Sequence, residues 1–518
     1  MNKIFKYLLI GALLVSIGSC TDELTEINEN PNEPALEQAA PDMLLTNAIE
    51  QLSDRVHNIF LGHEMGSCWV QHMAKVQYTD EDRYIPRVSV INAAWSSLYA
   101  TSGQDVALIK QVAELRENDN YKGVALVLEA YITSLLTDLY GDVPYTQAWQ
   151  GSASEAIVSP VYDSQASIYT ALIANLETAN SLLDASGSSI KGDILYDNDI
   201  DSWKKFANSL RLRLLLRMSA RDEGFVTTEM TKMLNAPETY PIFTGFVDDA
   251  QLNYLGSAPN NHPINENRKT RDDHRVSASL IDLLYTDAPS ADYRVAIYAE
   301  LAEASSDFVG LPNGMKSSDA ANYLGNGLKQ TSELGELYTE ATAPGVLMTY
   351  SELQFILAEA AHKAYIPGGE AKAEEYYYEG IKSSYYKYGD ELSEKLEMYW
   401  KTAFISWGWD QVTPILDYGY QDFIDWGGWA YDPANAMEQI ATQKWVAMFD
   451  QGLQSWIEWR RLDLPVLTPA VDGVLSGQMP IRVFYPSDEY SRNKTNVEAA
   501  VASQGKDDLL TPVWWDVN

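Results

Sequence analysis

Ser202-Trp203-Lys204-Lys205-Phe206-Ala207-Asn208-Ser209-Leu210-Arg211-Leu212-Arg213-Leu214-Leu215-Leu216-Arg217 decides the fold class. Trp203, Phe206, Ala207, Leu210 and Leu214 recur at the three-and-four spacing of an α-helix with a buried face. Asp201 or Ser202 is placed to cap its start, because a short side-chain oxygen accepts from the free amides of a first turn. The same period returns in 351–364 through Leu353, Leu357, Ala360, Ala361 and Ala364, where small residues let another helix approach closely. It returns once more in 441–461 through Trp445, Phe449, Leu453 and Trp456. All three stripes read as core. The expected fold is mainly α.

Working outward, the helical stretches come in pairs, 121–139 with 165–183 and 350–365 with 371–388. Pairs of this size suit tetratricopeptide-like units of about 34 residues, although no strict repeat of letters survives. Other stretches are rich in Pro, Asn, Asp and Gly: 235–275, 286–345, and 462–518 with Pro465, Pro469, Pro480, Pro486 and Pro512. Loops this long in a compact domain are functional or inserted. The expected organisation is a single helical domain over 42–518, with loop-rich elaborations at about 235–345 and 462–518.

The first residues read as an address. Lys3 and Lys6 make a positive start and 7–17 is apolar or small, the pattern of a secretory signal peptide over 1–19. Ile17-Gly18-Ser19-Cys20 resembles a bacterial lipobox, which would make Cys20 the acylated N-terminus. Asp22, Glu23 and Glu26 follow, and 20–41, with Asn30-Pro31-Asn32, reads as a tether. No later stretch is continuously apolar for about 18 residues, so the expected anchor is lipid alone. Cys68 would then be the only other thiol, which excludes an intramolecular disulfide.

The composition fits that address. With 46% hydrophobic residues in 518, a large core is available, which argues against global disorder. There are 73 acidic and 37 basic side chains, a net charge of −36 that excludes nucleic acid as the main partner. Loss of 1–19 removes two lysines and no acid, making the balance more negative still. Tyr (32) and Trp (14) far outnumber Phe (12), and these are the rings that can sit half-wet with a polar handle.

Reaction motifs are missing. There is no nucleophile elbow or phosphate loop, and Gly325-Asn326-Gly327 lacks both its third glycine and a preceding strand. His57, His63 and Glu64 lack zinc-site spacing, and the scattered histidines read as surface or capping residues. Asp197-Asn198-Asp199-Ile200-Asp201 starts like a calcium loop, but Ser202 and Asn208 stand where Gly and Glu are needed, so a helix-entry loop is the better reading. No cofactor or metal is expected.

What remains is binding. Within 66–87, Trp69, Tyr78 and Tyr84 interleave with Asp80, Arg83 and other hydrogen-bonding groups. Ring faces suit the C–H surface of a sugar or peptide, and polar groups suit its hydroxyls or amides. Tyr254 with Asn261 and His262, and Trp407 with Trp409, form two further candidate patches. For every one of these rings the ordinary alternative is packing beneath its own loop.

The order of several motifs resembles the SusD/RagB family of nutrient-binding outer-membrane lipoproteins of Bacteroidetes. They are the lipobox and Asn-Pro-Asn tether; Leu139-Tyr140-Gly141-Asp142-Val143-Pro144-Tyr145; the 203–213 stretch; Glu352 to Ala361; and Gln443-Lys444-Trp445. Trp456-Ile457-Glu458-Trp459-Arg460-Arg461 and Pro480-Ile481-Arg482-Val483-Phe484-Tyr485-Pro486, then Glu489 and Asn493, complete the series. The resemblance implies about four tetratricopeptide-like helix pairs with a loop-rich second subdomain packed on them. It implies no enzymatic activity, a cell-surface location in the outer membrane, and a SusC-like TonB-dependent transporter as partner, to which a captured glycan or oligopeptide is passed. A surface glycan-processing enzyme and a purely structural or adhesive protein are the competing classes. The matching motifs are scaffold and transfer no binding residue.

Overall fold

The structure, a computed structural model, describes residues 36–151, 156–285, 291–449 and 451–518. The expected signal peptide, Cys20 and most of the expected tether lie outside the described residues. Helices dominate the rest. In the first half α1 (Pro41–Val56), α2 (Gln104–Leu115), α3 (Asp119–Tyr140), α4 (Gln165–Leu182) and α5 (Ile200–Arg217) each pack against the next. In the second half, α6 (Tyr350–His362) packs on α7 (Gly369–Tyr386), and α8 (Gly389–Tyr399) on α9 (Ile415–Trp426). α10 (Ala436–Ala447) covers α6, and α11 (Gly452–Leu462) lies on a π-helical turn, Ile59–Ser67. Both expected helix pairs, α3 with α4 and α6 with α7, are present.

Local chemistry sets the ends. The side chains of Asn118, Ser164 and Thr349 accept from amides in the first turns of α3, α4 and α6. α5 begins earlier than its apolar period suggests: Asp199, not Asp201 or Ser202, is the cap, and Asp197 and Asn198 before it adopt left-handed backbone. The calcium-like run is thus a helix-entry loop. The 351–364 stripe also ends sooner, because the chain leaves the helix after His362 and Ala364 sits at φ +58°. The 441–461 stripe is two helices, α10 and α11, yet Trp445, Phe449, Leu453 and Trp456 are all buried.

α5 departs from a one-sided amphipathic helix. Arg211, Arg213 and Arg217 are as buried as its leucines. Arg213 is forked onto Glu352 of α6 at 2.7 and 2.6 Å, and Arg217 meets Asp138 of α3 at 2.6 Å. Burying such charges is tolerable only with matched partners and satisfied hydrogen bonds. α3 is long and apolar enough to cross a membrane, but the qualifying stretch is wholly buried, so it is the central core helix.

The loop-rich part contains two short antiparallel ladders that its composition hides. β1 (Met73–Lys75) pairs with β3 (His274–Val276), Met73 opposite Val276 and Lys75 opposite His274. β2 (Ala250–Asn253) pairs with β4 (Pro344–Met348). The 462–518 region holds an 11-residue helix, Lys494–Gln504, and ends with Trp515 in the core.

Candidate ligand-binding site

The first ladder builds the site. Pairing of β1 with β3 brings the residues after Lys75 beside those before His274, and the Val76 amide donates to the Asp273 carbonyl at 2.9 Å. Here an open cleft of about 370 Å³ is lined by Gln77, Tyr78, Thr270, Arg271, Lys329 and Glu333, among others. Tyr78 is 62% exposed, and the Arg271 guanidinium lies 4.1 Å from its ring centre. One guanidinium covers one face, so the other stays open for stacking.

A largely buried charge network anchors β1 and reaches the cleft at Asp273. The Lys75 ammonium contacts Glu64 and lies 3.0 Å from Asp273, while Arg87 bridges Glu64 at 2.9 Å and contacts Glu81. Burial works to lower the Lys75 value, but Glu64 and Asp273 outweigh it and hold the ammonium above its ordinary range. Burial pushes the Glu64 carboxyl up against the pull of Lys75. Asp82 is pushed up to about 6 by burial, although the Gly314 amide and Asn313 stabilise its charge. Asn313 donates to Asp82 at 2.8 Å and to the Met73 carbonyl at 2.7 Å, tying loop to strand. Gln71, Tyr78 and Tyr84 all have positive φ, at 61°, 52° and 71°. Left-handed backbone costs a non-glycine residue about 1 kcal/mol each, and such strain clusters at ligand sites.

The structure separates the rings expected to work together. Trp69 is fully buried, edge-on to Trp456 at 5.1 Å, its indole N–H donating to the Glu81 carbonyl at 2.8 Å. It is a pillar beneath the loop. Tyr84 is buried too, its hydroxyl accepting from the Ala470 amide at 2.8 Å, with burial pushing its phenol up to about 12. Asp80 and Arg83 pair at 3.7 Å and do not line the cleft. Of the 66–87 patch, Tyr78 is the one ring that lines the cleft, with Gln77 beside it. Tyr254, Asn261 and His262 are likewise inside: the Tyr254 hydroxyl bonds Ser53 and Asp54, and His262 caps a short helix by accepting from Ile264. Trp409 is buried with its N–H on the Thr413 carbonyl, whereas Trp407 is 38% exposed.

Arg271 was missed by sequence reasoning. A signal existed, since 268–275 reads Arg-Lys-Thr-Arg-Asp-Asp-His-Arg, a dense basic run in an acidic chain. Of the histidines expected at the surface or at caps, His57 and His262 stand at helix caps, whereas His63, His72 and His274 are buried rather than superficial. Among the described residues no cluster of His, Cys, Asp or Glu is arranged to hold a metal ion.

No match is found among the curated proteins. Solved structures do match. A chitin-binding protein is similar over 92% of this chain and 100% of its own, at 25% identity and a TM-score of 0.76. A chitin-binding SusD homologue from Flavobacterium johnsoniae covers 93% and 99% at 22% identity and TM-score 0.73. A SusD homologue from Bacteroides fragilis covers 92% and 100% at 20% identity and TM-score 0.73. The profile of the SusD-like family described as "starch-binding associating with outer membrane" matches residues 31–486. The chain belongs to that SusD-like family.

Proposed function

We propose that this protein captures a glycan in the Tyr78 cleft and delivers it to a SusC-like TonB-dependent transporter. Members of the family are outer-membrane-associated carbohydrate-binding proteins, not enzymes. The observation carrying the site assignment is the exposed Tyr78 ring, backed by Arg271 and bordered by Gln77, Thr270 and Lys329 in an open cleft. A pyranose would stack on the free ring face, and these polar groups would take its hydroxyls. The lining mixes Arg271, Arg275 and Lys329 with Asp272, Asp273, Glu303 and Glu333, so a neutral sugar suits it better than a polyanion. Acylated Cys20 would hold the protein at the outer membrane, facing outward, and the 20–41 tether would keep it close to its transporter.

Isothermal calorimetry with starch- and chitin-derived oligosaccharides tests the site. Tyr78→Ala should weaken binding about tenfold or more without moving the melting temperature. Undiminished affinity in that variant removes the cleft from the reading. Detergent co-purification with intact Cys20 should recover a β-barrel transporter, and repeated failure counts against the delivery role.

A further inference from the structure

Trp149 lines a second open cleft, of about 350 Å³, built by different residues from the Tyr78 cleft. Helix α2 contributes Lys110, Gln111 and Glu114, α3 contributes Glu129, and the segment after α3 contributes Tyr145 and Trp149. Both rings are half-buried.

Their seats are specific. Trp149 has left-handed backbone, φ +57°, and its indole N–H donates to the Tyr99 carbonyl at 2.8 Å. A Cβ at position 103 would stand 2.6 Å from Cζ2 of that ring, so the seat exists because residue 103 is glycine. Asp163 holds the turn beneath by accepting from the Tyr145 and Thr146 amides at 2.9 and 2.8 Å. The Tyr145 hydroxyl donates to Glu129 at 3.1 Å and accepts from Asn175 at 2.8 Å. The Glu129 carboxylate is buried and also contacts the Lys110 ammonium. The floor is therefore internally satisfied, and the groups offered at the mouth are ring faces, the exposed Gln111 amide and the second oxygen of Glu114, whose first oxygen pairs with Lys122 at 2.7 Å.

We propose that the Trp149 cleft is a second saccharide-binding site of this protein. Ring faces fixed at their polar edges take the C–H side of a pyranose at little entropic cost, and the amide and carboxylate at the mouth take hydroxyls. Lys110 pairs with Glu129 and Lys122 with Glu114, so the charges at the cleft balance and a neutral sugar suits it better than an acidic one. Two sites on one chain gain avidity for a long glycan that can span them. The site stands independently of the Tyr78 cleft.

Protein labelled with 5-fluorotryptophan tests it by fluorine NMR. The Trp149 resonance is identified by its loss in Trp149→Phe, and maltoheptaose and chitohexaose are titrated separately. With at least one of them the Trp149 resonance should shift in wild type and equally in Tyr78→Ala. Gln111→Ala, which leaves both rings seated, should raise the concentration needed for that shift about tenfold. A resonance that neither sugar moves overturns the proposal, including where calorimetry still detects binding at the Tyr78 cleft. A shift that disappears in Tyr78→Ala overturns it too, because it then reports the first site.

Discussion

Asp138 shows how much one side chain can organise. It accepts from the Tyr169 hydroxyl and the Trp515 indole at 2.6 Å each, and its other oxygen meets Arg217 at 2.6 Å. Three parts of the chain, α4, α5 and the C-terminal segment, thus converge on one carboxylate of α3. Asp138→Ala should cost about 3 kcal/mol, because Arg217 would stay buried with only the more distant Glu458, at 3.9 Å, to balance it. A urea titration should show a lower midpoint with an unchanged slope, and a midpoint within error of wild type would sink this account. The α5 arginines were visible in the sequence, but their inward direction was not, since Asp138 and Glu352 lie 79 and 139 positions away. The same limit explains Trp69 and Tyr78. Sequence locates both in one loop of mixed rings and polar groups, while only the distant Trp456 settles which ring is covered.

Elements meet by letting their backbones touch. A Cβ at Gly66 would lie 2.6 Å from the Leu453 amide nitrogen, and one at Gly452 would lie 2.6 Å from that of Ser67. These two glycines let the Ile59–Ser67 turn and α11 pack at backbone distance, and the turn leads directly through Trp69 into β1. Gly66→Ala should destabilise by about 1–3 kcal/mol, the usual range for overpacking. It should also weaken sugar binding at Tyr78, through the displaced strand. Stability measured alongside calorimetry checks both, and a variant altered in neither would show that the contact relaxes freely. Thr349→Ala isolates a cap on α6 and should cost about 1 kcal/mol, with Thr349→Ser near wild type in the same denaturation assay. At this scale the sequence was most legible. The apolar periods at 202–217 and 351–364 each stood as one helix with shifted ends. That at 441–461 split into α10 and α11 with its stripe still buried, because period and burial share one cause. The three-residue strands β1 and β3 were not legible, being too short to show alternation and held mainly by each other.

Across the whole molecule, the buried histidines set a pH limit. Burial lowers His57 to about 4, and His63 and His72 to about 3, with His57 adding repulsion at His63. His262 and His274 are held well below the ordinary value, first by burial and then by neighbouring cationic or imidazole groups. Each imidazole stays neutral in the fold while the unfolded chain gains a proton near 6.5, so the unfolded state binds more protons between that value and the folded one. Stability is therefore fully present above about pH 7 and falls as pH drops, by at most about 1.4 kcal/mol per unit for each histidine. Asp82 and Glu64 work in the opposite sense, since their raised values let the fold take up protons before the unfolded chain does. Asp54, Asp249 and Asp422 are among other carboxylates raised in the same direction, but Glu64 and Asp82 carry the largest upward shifts, and five histidines outweigh them. The urea midpoint should accordingly decline steadily from pH 7.5 to 5, and His63→Leu should flatten the decline by about one proton's worth of slope. A flat profile in wild type over that range would mean that the imidazoles admit water and charge freely inside the fold. A decline that His63→Leu leaves unchanged would move the cause to the other four.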